Sequence, residues 1–159
     1  MQPSNNLLRI LKRDRGFHYK PYKDFDGTLI IGCGHNLDDN PLSDRLMQRI
    51  NAGGELTDRE IDDILADDLR EAIRETLDVF GVYWGELTDA RKDVLIHIAF
   101  DLGKGGISDL KLMIAGIANH DWIEASKQML NSCWARQSSA RAIRLSKVME
   151  TDDESYFEV

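Results

Sequence analysis

Arg13-Asp14-Arg15-Gly16-Phe17-His18-Tyr19-Lys20-Pro21-Tyr22-Lys23-Asp24-Phe25-Asp26-Gly27, continued by Thr28-Leu29-Ile30-Ile31-Gly32-Cys33-Gly34-His35, is the stretch on which the fold turns. Pro21 bars a helix interior, Asp26-Gly27 is a strong turn signal and Thr28-Leu29-Ile30-Ile31 is β-prone. Gly32-Cys33-Gly34 permits a bend or a close approach of backbone. A small antiparallel sheet is expected. Upstream, Leu7, Leu8, Ile10 and Leu11 recur at helical spacing and Gly16 suits the position just past a helix end, which predicts a first helix over residues 4–15. Downstream, Pro41-Leu42-Ser43 leads into a short amphipathic helix ending near Ala52, before Gly53-Gly54. Thr57 and Glu60 form a capping box: the Thr57 hydroxyl can accept from the Glu60 N–H, and Glu60 can reach back. Behind it Ile61, Ile64, Leu65, Leu69, Ile73 and Leu77 make one apolar stripe, so this helix should run to about Phe80. Thr88 caps another helix, with Val94, Leu95, Ile98, Ala99 and Leu102 as its core face. Further helices are expected over 108–118, 121–131 and 138–149, with Trp122 and Trp134 in the core. The order describes an α+β protein, mainly helical. A single domain, 1–159, is expected. Its parts would be a small antiparallel sheet lobe (16–56), a connecting helix (57–80) and a helical lobe (1–15 with 81–159).

The 159 residues carry 20 Lys and Arg against 28 Asp and Glu, a formal net charge of -8. Residues 36–89 alone hold five basic and fifteen acidic groups, whereas residues 1–25 and 90–149 are each net +4. The excess of acid argues against a nucleic-acid partner, which needs basic surface to displace counterions. No run of about 18 apolar residues exists, so no membrane span is expected. Two cysteines, Cys33 and Cys133, cannot build a disulfide framework, and two reduced thiols are expected. His18, His35, His97 and His120 show no metal-ligand spacing, so neither a metal nor another cofactor is expected. Thr28, Ser108, Ser138 and Ser139 have no His/Asp constellation around them and read as strand or cap residues.

The opening stretch, with its Tyr-Lys-Asp…Gly-x-Gly-His run, resembles the phage-type lysozymes. So does Cys133-Trp134-Ala135-Arg136-Gln137-Ser138-Ser139-Ala140-Arg141-Ala142, which is similar to that family's Arg-Trp…Gln-Thr-Pro-Asn-Arg-Ala segment. The resemblance covers nearly the whole chain. It implies a lysozyme-like two-lobe fold with a cleft between the lobes. It also implies cleavage of the β-1,4 bond between N-acetylmuramic acid and N-acetylglucosamine. Peptidoglycan glycan strands are then the expected partner, and the protein is expected to be a monomer. The absence of a signal-peptide pattern fits synthesis in the cytoplasm of an infected or host bacterium, with access to the wall after release.

In that family a Glu ends the first helix as general acid, an Asp nine residues later supports the water or the cationic transition state, and a Thr six further on helps place that water. Glycoside hydrolysis needs this division of labour between two carboxyl groups. The matching positions here are Arg15, Asp24 and Ile30, of which only Asp24 keeps its chemistry. A guanidinium does not release its proton near neutral pH, and an apolar side chain orders no water. Hydrolysis is therefore expected to be lost or severely weakened while the cleft survives. Two other readings stand beside this one: an active endolysin using Asp24 with an unusual acid, and the fold reused as a protein-binding or inhibitory module.

The resemblance places Leu29 and Phe100 as apolar cleft walls, with Trp134 and Gln137 nearby. Asp101 falls where the family often has Gln, and Arg141 is the family's usual partner for the missing Glu. An Arg at 15 and an Asp at 101 read as a charge exchange, which implies an Arg15–Asp101–Arg141 cluster. Neighbouring cations would keep Asp101 ionised, which argues against a relocated acid. Asp14 is expected to pair with Arg144, and His35 with Asp68, both as structural ion pairs. Asp26 reads as a turn residue bonding its own backbone.

Overall fold

The computed structural model describes residues 4–103, 105–137 and 139–158. It is mainly helical, with one small antiparallel sheet. The expectations for Ser138, at the start of the last predicted helix, lie outside the described residues. The chain divides into two compact units, one formed by Leu8–Arg70 and the other by the residues up to Leu7 together with those from Glu71 onward. Among the described residues no helix is long and apolar enough to cross a membrane.

The sheet-bearing unit begins in α1 (Asn5–Arg15), followed by strands β1 (His18–Lys23), β2 (Leu29–Gly32) and β3 (His35–Asn36). The strands lie in sequence order and pair antiparallel, with Tyr22 opposite Ile30 and Ile31 opposite His35. The register slips between His18 and Tyr22, around Pro21, which has no N–H to give the ladder. There the Tyr19 carbonyl takes the N–H of Leu56 at 3.0 Å, outside the sheet. Helix α2 (Asp44–Asn51) starts at Ser43, whose hydroxyl accepts from the Leu46 N–H. Helix α3 (Asp58–Phe80) starts in the capping box read from the sequence: the Thr57 N–H donates to Glu60 at 2.9 Å and the Glu60 N–H to the Thr57 hydroxyl at 3.1 Å. Ile10, Leu11, Ile31, Ile61, Leu65 and Leu69 form the buried core of this unit.

The helical unit contains α4 (Asp89–Leu102), α5 (Lys111–Ala118), α6 (Trp122–Leu130), α7 (Cys133–Gln137) and α8 (Ser139–Thr151). Short 3₁₀ turns cover Gly81–Glu86, Gly106–Asp109 and Glu154–Glu158. The helix expected over 108–118 is thus split: the 3₁₀ turn over Gly106–Asp109 precedes α5, and the break falls at Leu110, whose backbone leaves the helical region at ψ 58°. Val94, Leu95, Ile98, Ile117, Met129 and Leu145 are buried at the centre of the unit. Helices α5 and α6 touch at Gly116, where a Cβ would stand 2.9 Å from the backbone nitrogen of Ala125, so only glycine allows this approach. Trp134 is core as expected, but Trp122 is only half-buried. Its ring lies under the Arg91 guanidinium at 4.0 Å and stacks on His120. A cation and a polar ring against the indole suit a partly wet site better than a core one.

Candidate functional site

Arg15 closes α1. Three basic residues, Lys12, Arg13 and Arg15, occupy the last turn, where positive charge suits the negative end of the helix dipole. Gly16, with φ +70°, returns its N–H to the Lys12 carbonyl at 3.0 Å and ends the helix. The Arg15 side chain lies against Gly34 so closely that a Cβ there would be 2.4 Å from its Nε, and Gly34 itself sits at φ +79°. Beside it the Cys33 thiol is buried and approaches the Leu11 carbonyl at 3.6 Å. Burial pushes this thiol up to about 11, although the charges of Arg15 and Lys12 pull the other way. Cys133 is an exposed thiol.

Asp24 sits in the β1–β2 turn, and its carboxylate builds that turn. Its Oδ1 accepts from the Asp26 N–H at 3.0 Å and from the Thr28 N–H at 2.9 Å, while its carbonyl takes the Gly27 N–H. The backbone-bonding role read from the sequence for Asp26 therefore belongs to Asp24. Ile30 is 6% exposed, a core residue of β2, and Leu29 beside it is half-buried. His35 is buried between Asp68, with Nδ1 2.7 Å from Oδ2, and the Asn40 carbonyl, 2.7 Å from Nε2. Both ring nitrogens face acceptors, so both must carry protons. Burial opposes that charge, but the hydrogen bond and charge of Asp68 with the Asn40 carbonyl outweigh it, and the His35 pKa is raised. Asp14 contacts its neighbour Arg13 at 3.2 Å.

In the helical unit Asp101 is an acceptor shared by two helices. Its Oδ2 takes the Trp134 indole N–H at 3.1 Å from α7 and an Arg141 N–H at 3.0 Å from α8. The Asp101 side chain is 4% exposed and Trp134 only 1%. Phe100 is half-buried, Gln137 is exposed at the end of α7, and Arg144 donates to the Phe157 carbonyl at 3.3 Å. Asp101 and Arg141 are thus brought together here, while Arg15 belongs to the sheet-bearing unit.

Two buried groups escaped the reading of the sequence. His97 is wholly buried with Nδ1 3.3 Å from Asp101 Oδ2, and Asp93, one turn earlier, accepts from the Ser4 hydroxyl at 2.8 Å. Burial raises the Asp93 pKa to about 6, against the Ser4 hydrogen bond. Their signal was present: 93, 97 and 101 are spaced by four and share one helix face. Of the three positions that the resemblance matches to catalytic residues, Asp24 offers a carboxylate with one oxygen committed to its turn, Arg15 a cation that donates hydrogen bonds but supplies no acid proton, and Ile30 a buried aliphatic side chain. Among the described residues no group of three or more His, Cys, Asp or Glu side chains could hold a metal ion.

The family model described as phage lysozyme matches residues 12–146. The pre-baseplate central spike protein Gp5 of Enterobacteria phage T4 is 28% identical over 97% of this chain, which spans 29% of that protein's length. Two Dictyostelium discoideum proteins, named probable T4-type lysozyme 1 and 2, are 27% and 26% identical. Each match covers 92% of this chain and 95% of the relative.

Proposed function

Because the chain belongs to the phage lysozyme family, we propose that it is a muramidase-like protein that binds peptidoglycan glycan strands and hydrolyses them weakly or not at all. Arg15 carries this reading. It is the residue that ends α1, followed at once by Gly16, and that is the place where the resemblance puts a general-acid Glu. A glycosidic oxygen leaves only when a proton reaches it, and a guanidinium, a donor of hydrogen bonds that keeps its protons, does not supply one. Loss of a positioned general acid typically lowers the rate by about 10²–10⁴. Ile30 adds to the loss, since a buried aliphatic side chain cannot hold a water. Asp24 and Gln137 would then contact the glycan as polar binding groups, with Leu29 and Phe100 as apolar surface for sugar rings, while the buried Asp101–Arg141 pair would tie α4 to α8. The protein would act as a monomer, reaching the wall after release from the cell that makes it.

The clearing of bacterial walls, followed as turbidity, tests this. The unaltered protein should sediment with purified walls and clear them at most slowly. The double variant Arg15→Glu with Ile30→Thr, checked as folded by circular dichroism, should gain clearing by about 10²-fold or more. Fast clearing by the unaltered protein would overturn the reading. A folded double variant that gains nothing would place the catalytic groups elsewhere. One observation favours a second reading, an active cell-wall hydrolase: two relatives matched along nearly their whole length are named as lysozymes.

A further inference from the structure

Helix α4 is buried along most of its length, yet one face of it carries three titratable side chains, Asp93, His97 and Asp101, each a turn from the next. All lie in the helical unit. Asp101 is answered by Arg141 of α8 and by the Trp134 indole of α7, and His97 stands 3.3 Å from the same oxygen. Asp93 is placed differently. It is 6% exposed, and the group that donates to it is the uncharged Ser4 hydroxyl. Among the described residues no Lys, Arg or His side chain forms an ion pair with Asp93. A carboxyl group buried without a cation favours its neutral form, because the charged form has lost water and gained nothing equal. Like charge adds to this, from Asp89 on α4 and from Glu154 beyond α8, while His97 acts against it.

Glu154 opens the 3₁₀ turn Glu154–Glu158, which is joined to α8 through Asp152 and Asp153. Asp152 has a left-handed φ of 61°, its N–H returns to the Val148 carbonyl at 2.8 Å, and its carboxylate accepts from the Thr88 hydroxyl. The base of the segment is thus pinned. Beyond it Phe157 is 1% exposed, and its carbonyl accepts from Arg144 at 3.3 Å. The bonds that the Ser155 and Tyr156 N–H groups give to Asp153 stay inside the segment and move with it. A short segment with a fixed base and its own internal bonds is suited to swing as one piece.

We propose that Asp93 is a proton-operated latch on residues 153–158. With Asp93 neutral the segment is closed and Phe157 fills the core. With Asp93 ionised, repulsion from Glu154 drives the segment open about Asp152. Opening carries Glu154 away and lets water reach the Asp93 carboxylate, so the charged form gains most. The proton passes to and from solvent, and no other covalent bond changes. Its release therefore favours the open state and its uptake the closed one. Mild acid shuts the latch, and mildly alkaline solution loosens it.

Amide hydrogen exchange of the full chain, corrected for the intrinsic effect of pH, reads the latch, because a five-residue turn does not persist once undocked. Burial holds Asp93 in the closed state at about 6. An ordinary value of about 3.9 in the open state makes opening at residues 156–158 about tenfold more frequent at pH 8 than at pH 5. Asp93→Asn should abolish that rise and keep the segment closed at both pH values. Glu154→Gln, at an exposed position, should reduce it. At pH 8 these amides should exchange about tenfold or more faster than that of Met129 in the core of α6, the mark of a local opening. No rise, a rise that survives Asp93→Asn or is untouched by Glu154→Gln, or protection equal to that of Met129 would each overturn the proposal. Wall clearing is not read, so the glycan reading stands apart from the outcome.

Discussion

His35 is held between two acceptors and serves both only as an imidazolium, which makes its contribution to stability depend on pH. Its folded-state pKa is raised above the unfolded value of about 6.5. The stabilisation is therefore complete below that unfolded value and is lost as pH rises through the folded one. Urea unfolding should show His35→Asn less stable by about 1.5–3 kcal/mol at pH 5, the range for hydrogen bonds to a charged group, with the difference narrowing by pH 9. Asp93 behaves in the opposite sense to an ordinary paired carboxylate. Burial raises its pKa to about 6, so the fold prefers it protonated. Stability is unaffected below the unfolded value of about 3.9, declines as pH climbs to 6, and stays lowered above it. Asp93→Asn should accordingly raise stability by about 2 kcal/mol at pH 8 and change little at pH 3.5, as read by thermal unfolding at the two pH values. Neither behaviour is legible from residue type alone, because a lone Asp in an amphipathic helix reads as solvated until its face is known to be buried.

At the scale of elements, legibility follows local chemistry. The Thr57–Glu60 box was readable because both partners lie within one turn and each satisfies a donor that the helix itself leaves over. The same Glu60 also meets Arg49 of α2, and that hydrogen bond, with the Thr57 N–H, holds its carboxyl down at about 2. Nothing near residue 60 announces Arg49. Helix α7, five residues long, was missed because it is too short for periodicity to show, and tertiary burial of Trp134 and Ala135 accompanies it. The end of α8 was read to within two residues, but what holds it was equally hidden: Arg91 of α4 donates to the Met149 carbonyl at 2.9 Å and the Glu150 carbonyl at 3.4 Å. Arg91→Lys keeps the charge but not the fork, and should cost about 1–2 kcal/mol in urea unfolding. The junction of α1 with the β2–β3 turn gives a coupled case. Gly34→Ala should destabilise by about 1–3 kcal/mol, from its left-handed backbone and from the collision with Arg15. In an Arg15→Ala background the cost should shrink to the backbone part, and a double-mutant cycle measures the difference.

For the molecule as a whole, the fold class was legible and the candidate site only by likeness. Periodicity and turn chemistry carry α+β without help from any relative, whereas Asp24, Arg15 and Ile30 gain meaning only from the positions they match. Charge is the property of the whole that bears on function. A net -8 opposes approach to a wall polymer that is itself rich in carboxylates. Screening should therefore help: sedimentation with purified walls should increase between about 10 and 150 mM salt, where the Debye length falls from about 30 to 8 Å. A decrease would mean that the basic segments, not the net charge, steer the encounter.

The double duty of Asp24 decides how its chemistry can be interrogated. Truncation to alanine deletes the acceptor that gathers the Asp26 and Thr28 N–H groups, so a silent protein could be one whose hairpin has come apart. Asparagine leaves an acceptor oxygen for those two N–H groups, removes the negative charge and turns the other oxygen into an N–H donor. Any activity lost in Asp24→Asn while β1 and β2 stay paired belongs to the carboxylate's charge and its second oxygen, and the amide is the substitution that separates architecture from reactivity.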